Sequence, residues 1–153
     1  KERTKILEDT DSTVYLGYIA EKHVQHILWQ YGYSVKHLTN AKGSPDLLLG
    51  GNKYIEVKTA RMEFVTSQNP KRHSTFMFLF DKGIPQSYEH AYAFVFKYPD
   101  STLQLRFATK KDLLKYVKSR EGKRSVRINL KLPWLHKSPY KVFGKPMKQT
   151  KPD

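Results

Sequence analysis

The strongest constraint on this chain is a change of apolar period at Gly32. Before it, Leu16, Ala20, Val24, Ile27, Leu28 and Tyr31 recur at the spacing of one helical face. Asp11 and Ser12 offer N-caps for that helix, and Gly32 is a natural C-terminal stop. After it, short apolar runs separated by turn residues replace the helical stripe. Tyr33 to Leu38, Asp46 to Gly50 and Lys53 to Ala60 read as strands, the last two joined through Gly51–Asn52. The first sixty residues therefore predict helix, strand and hairpin, in that order.

Further along, Arg61 to Ser74 is polar and basic and reads as a loop. Ser74 to Phe80 carries apolar residues at both parities, which predicts a strand buried on both sides. Ala91 to Tyr98 and Thr102 to Phe107 form a hairpin around Pro99, Asp100 and Ser101. Thr109 with Asp112 resembles a capping box for a second helix holding Leu113, Leu114 and Val117. Ser125 to Leu132 supplies one more strand candidate. The pattern predicts an α/β (α+β) domain, a central mixed sheet flanked by helices.

Charge narrows the function. The chain of 153 residues carries 28 Lys and Arg against 14 acids, a net +14. Residues 1–108 hold 14 basic and 11 acidic side chains (+3), and residues 109–153 hold 14 and 3 (+11). Such self-repulsion is most easily tolerated when the partner is a polyanion. With no cysteine, disulfides, thiolate metal sites and cysteine nucleophiles are excluded. No apolar run is long enough to span a membrane and no signal-peptide pattern opens the chain, so a cytoplasmic protein is expected. There is no P-loop and no Gly-x-Ser-x-Gly elbow beside Ser44. His23 and His26 lack a third ligand at helical spacing and read as surface or boundary residues.

Chemistry concentrates in the first hairpin. Pro45–Asp46 is followed, after nine residues, by Glu56–Val57–Lys58. Glu56 and Lys58, two apart on one strand, share a face. Carboxylates bind hard divalent cations, and a lysine beside them can offset charge developing on a phosphate. A two-residue turn at Gly51–Asn52 would put Asp46 on the wrong face. Convergence requires an odd loop or a bulge, with Leu48 opposite Glu56.

Ser44–Pro45–Asp46 with Glu56–Val57–Lys58 resembles the PD-(D/E)XK signature of the restriction-endonuclease-like nucleases. The run from Gly17–Tyr18–Ile19–Ala20–Glu21 through Gly32–Tyr33 to Glu56–Val57–Lys58–Thr59 is similar to archaeal Holliday-junction resolvases. The later strands are similar to small restriction-type and homing endonucleases. The resemblance spans about residues 12–118 of a single domain, 1–153, and leaves a basic extension at about 119–148. It implies a restriction-endonuclease-like core and an Mg²⁺-dependent endonuclease, with Mn²⁺ as a substitute. Asp46, Glu56 and the Val57 carbonyl would bind the metal, Glu21 would assist, and Lys58 would position the attacking water.

The expected substrate is double-stranded DNA cut at a specific sequence, with a four-way junction as the alternative and non-catalytic DNA binding as the third reading. Phosphate contacts are expected from Lys42 (beside Gly43), Arg61, Lys71, Arg72, Lys123, Arg124, Arg127 and Lys131. Cutting two strands implies a homodimer or homotetramer.

Overall fold

The computed structural model describes residues 4–5, 13–38, 46–50, 52–63, 75–80, 90–117 and 125–146. Helix α1 (Thr13–Gln30) follows the apolar stripe and buries Leu16, Ala20, Val24 and Leu28. It ends as the sequence predicts. Gly32 adopts φ 98°, its N–H bonds the Trp29 carbonyl at 2.8 Å, and the Tyr33 N–H bonds the Leu28 carbonyl at 3.1 Å. That is the Schellman arrangement, open to glycine because the left-handed conformation carries no Cβ clash. The capping residues Asp11 and Ser12 lie outside the described residues.

Strands β2 (Val35–His37), β3 (Leu47–Leu49) and β4 (Lys53–Glu63) then form an antiparallel meander. After β5 (Thr75–Leu79), strand β6 (Ala91–Lys97) returns parallel to β4, and β7 (Thr102–Thr109) pairs antiparallel with β6. The two-residue β1 (Thr4–Lys5) lies beyond β7. Helix α2 (Lys110–Tyr116), strand β8 (Ser125–Arg127) and the short α3 (Tyr140–Phe143) complete a mixed α+β fold. The main path across the sheet is β1-β7-β6-β4-β3-β2, with β5 branching from β4 and β8 pairing with β5. Among the described residues no helix is long and apolar enough to cross a membrane.

The sheet separates two cores. Toward α1 lie Ala91, Ala93 and Val95 of β6 with Ile55 and Val57 of β4, Leu47, Leu49 and Phe107. The opposite face carries Tyr92, Phe94 and Phe96, covered by Phe76, Phe78 and Phe80. These rings meet edge-on in regular pairs across the layers: Phe76 with Phe96, Phe78 with Phe94, Phe80 with Tyr92, at 4.8 to 5.8 Å.

Several sequence expectations are corrected. Arg61, Met62 and Glu63 continue β4, because Met62 and Glu63 find partners in Phe76 and Thr75 of β5. Strand β5 is buried on one side only. Leu79 is 62% exposed, so the aromatic parity alone enters the core. The strand expected at Ser125–Leu132 stops at Arg127, where its pairing with β5 ends.

The basic third of the chain is also woven into the body. Val126, Ile128 and Leu135 join the aromatic core and Phe143 the helix-side core. His136 bridges Phe107 of β7, and the Tyr140 hydroxyl donates to the Tyr31 carbonyl at 2.9 Å.

Candidate active site

The site grows from the alternation of β4. Ile55 and Val57 enter the helix-side core, while Ala60 belongs to the aromatic core on the other face. Glu56 and Lys58 share the parity of Ala60, and their register partners on β6 are Tyr92 and Phe94. The even positions of β4 therefore change from core to charge in moving back from Ala60.

The preceding loop sets the register. Leu49 pairs with Lys53, leaving the three residues Gly50, Gly51 and Asn52 between the strands, with Gly50 at φ 65°. The odd loop required by convergence is present. The pairing within it differs from expectation: Leu48 faces Tyr54 rather than Glu56, Leu47 faces Ile55, and continuing the register one step past that pair brings Asp46 level with Glu56. Strand β3 pairs with β4 only as far as Ile55. Beyond that point the Asp46 side chain replaces a strand, its Oδ2 accepting the Val57 N–H at 2.8 Å. A buried backbone donor is thereby satisfied by the carboxylate itself.

Glu21 reaches the same place from α1. Its side chain hydrogen-bonds Asp46, and Glu56 is near enough to oppose its ionisation. The His37 Nε2 lies 2.7 Å from Glu21 Oε1. Lys58 Nζ lies 3.1 Å from Glu56 Oε2 and 5.0 Å from the centre of the Phe80 ring, which supports it by a cation–π contact. Glu21 and Glu56 are 16% and 15% exposed, and Lys58 12%, so these interactions lie in a poorly solvated recess.

Burial and the Glu21 charge push the Asp46 carboxyl up to about 7, against the lowering effect of the Val57 N–H and Lys58. Burial raises Glu21 as well, opposed by its hydrogen bond with Asp46. Crowded carboxylates that resist joint ionisation hold a proton between them near neutrality. Burial lowers His37, which therefore meets Glu21 as a neutral imidazole.

This donor set suits a hard divalent cation. Three carboxylates from three segments lie near one ammonium, and burial raises the carboxyls of Asp46 and Glu21, which favours their protonated forms where no cation is bound. Among the described residues no group of three His, Asp or Glu is already arranged as metal ligands. In this structure His37 engages Glu21, the Val57 N–H engages Asp46, and Lys58 engages Glu56. A cation would compete with these contacts.

The structure thus brings together Glu21, Asp46, Glu56 and Lys58, with Val57 bonded to Asp46 through its N–H. Lys42, Lys71, Arg72, Lys123 and Arg124 lie outside the described residues. Arg61 is exposed late on β4, Arg127 is half-buried on β8, and Lys131 is exposed in the turn after it.

Sequence reasoning missed His37 and Phe80. The His37 contact depends on β2 pairing with β3, which sets His37 opposite Leu47 beside Asp46. The Phe80 contact depends on β5 folding over the sheet, which no local pattern encodes. No family model, no curated protein and no solved structure matches this chain.

Proposed function

We propose that this protein is a divalent-metal-dependent DNA endonuclease of the PD-(D/E)XK type, hydrolysing phosphodiester bonds. The observation that carries the reading is the meeting of Glu21, Asp46, Glu56 and Lys58, drawn from a helix, a strand end and a neighbouring strand. Support also comes from the order of the first elements, helix, strand and hairpin, which is the order the resemblance implies.

Mg²⁺, held by Asp46, Glu56 and the Val57 carbonyl with help from Glu21, would polarise the phosphate and acidify a bound water. The protein's own residues do the rest. Asp46 and Glu21, whose carboxyls burial raises, would have to ionise to hold the cation. Phe80 keeps the Lys58 ammonium beside Glu56, from which it orients the attacking water and offsets charge on the phosphate oxygens. The low exposure of the recess strengthens each of these interactions. The expected products carry 5′-phosphate and 3′-hydroxyl ends.

The test is cleavage of a four-way junction and of a genomic duplex library with Mg²⁺. The wild type should cut at least one of them. Glu56→Gln should abolish cutting and leave DNA binding equal or tighter, because it removes a charge that repels phosphate. Equal cleavage by wild type and variant would remove Glu56 from the chemistry.

A further inference from the structure

Of the Tyr, Phe and Trp rings among the described residues, Tyr18 is the most exposed, at 51%. It lies one turn before Glu21 on α1. Its ring stands edge-on to His37, centroids 5.9 Å apart, and the same imidazole holds Glu21. One histidine ring therefore separates this exposed aromatic face from the carboxylate cluster. Tyr15, 37% exposed, extends the surface by another turn, and exposed Lys22 lies a turn further along the same face. Lys22 is near enough to His37 to oppose its protonation. A half-exposed tyrosine fixed by a histidine, with a cation alongside, combines the elements that hold single-stranded nucleic acid: a flat π-surface for a base and a positive charge for its phosphate.

We infer that Tyr18 is a stacking platform for an unpaired nucleobase beside the scissile phosphate, so that the substrate is DNA with single-stranded or splayed nucleotides at the cut. This rests on the nuclease reading, which it sharpens by naming the substrate class. Bases inside a continuous duplex are stacked on their neighbours and offer no free face to a side chain. Stacking on tyrosine is indifferent to base identity, so the selection is for structure rather than sequence.

The experiment uses the full chain in EDTA with two probes, a continuous duplex and the same duplex interrupted by a three-nucleotide gap carrying 2-aminopurine. The wild type should bind the gapped probe about tenfold more tightly and quench the 2-aminopurine, in keeping with the stacking contribution of a single base. Tyr18→Phe should retain both effects. Tyr18→Ala should lose the quenching and bring the two affinities together. Tyr18→Leu, which keeps an apolar contact with His37 but has no π-face, should behave like the alanine variant. Absence of a gap preference in the wild type, or a wild-type ratio and quench in Tyr18→Ala and Tyr18→Leu, would overturn the inference. Cleavage with Mg²⁺, measured in parallel, separates the two readings. Tyr18-dependent quenching without cleavage of any substrate contradicts the nuclease reading and retains the platform, whereas cleavage with Tyr18-independent binding contradicts the platform alone.

Discussion

The two faces of the central sheet solve different problems. Toward α1, β6 presents the smaller side chains Ala91, Ala93 and Val95, all buried in the helix-side core. On the other face it presents Tyr92, Phe94 and Phe96, and a second layer meets them ring against ring. Strand β4 joins the two regions. Its odd positions complete the small-residue core, while its even positions pass from Ala60 in the aromatic core to Lys58 and Glu56. The charge begins where the aromatic layer ends, at Phe80 and Tyr92. The aromatic layer therefore does two jobs: it closes the core and supplies the wall against which Lys58 rests.

Breaking that wall should have the largest effect. Phe94→Ala removes a fully buried ring from the middle of the aromatic layer and should cost about 3–5 kcal/mol in denaturant unfolding. The opposite error on the helix face, Ala93→Leu, should cost about 1–3 kcal/mol by overpacking. If the alanine variant proved the milder of the two, the aromatic layer would be a covering rather than a core.

At the charged end, Lys58→Ala should slow single-turnover cleavage by about 10² or more, as for loss of one transition-state stabiliser. A fall in DNA affinity at an unchanged rate for the bound complex would make Lys58 a phosphate clamp instead.

A smaller effect concerns pH. Asp46 titrates in the fold near 7, above its ordinary 3.8. A raised carboxyl contributes stability that is complete below the ordinary value and is lost as pH rises through the folded one. Metal-free wild type should therefore lose melting temperature between about pH 4 and pH 7 relative to Asp46→Asn, which cannot ionise there. Parallel curves for the two proteins would show that Asp46 is not held protonated.

The parts of this arrangement readable from sequence were the local ones. The stripe ending at Gly32, the Thr109 cap, whose Oγ1 accepts the Asp112 N–H at 3.0 Å, and the parity of Glu56 and Lys58 all depend on a few adjacent residues. The odd loop after Leu49 followed from requiring Asp46 to reach Glu56, although the pairing inside it fell two residues from expectation. The contacts of His37 and Phe80 were hidden because they form between segments distant in the chain. The same reason hid the fate of the basic third. Its charge and the alternation of Val126 and Ile128 are plain in the sequence, but the insertion of Leu135 and Phe143 into two separate cores is a matter of packing.

The claim that the charged end of β4 is a divalent-cation site is tested most directly by titrating Mn²⁺ into the protein at pH 6 and pH 8. Binding should be tighter at the higher pH, because the proton shared by Asp46 and Glu21 must leave, and should weaken sharply in Glu56→Gln and Asp46→Asn. Mn²⁺ binding that is the same in wild type and both variants, or absent from the wild type at either pH, would contradict the account.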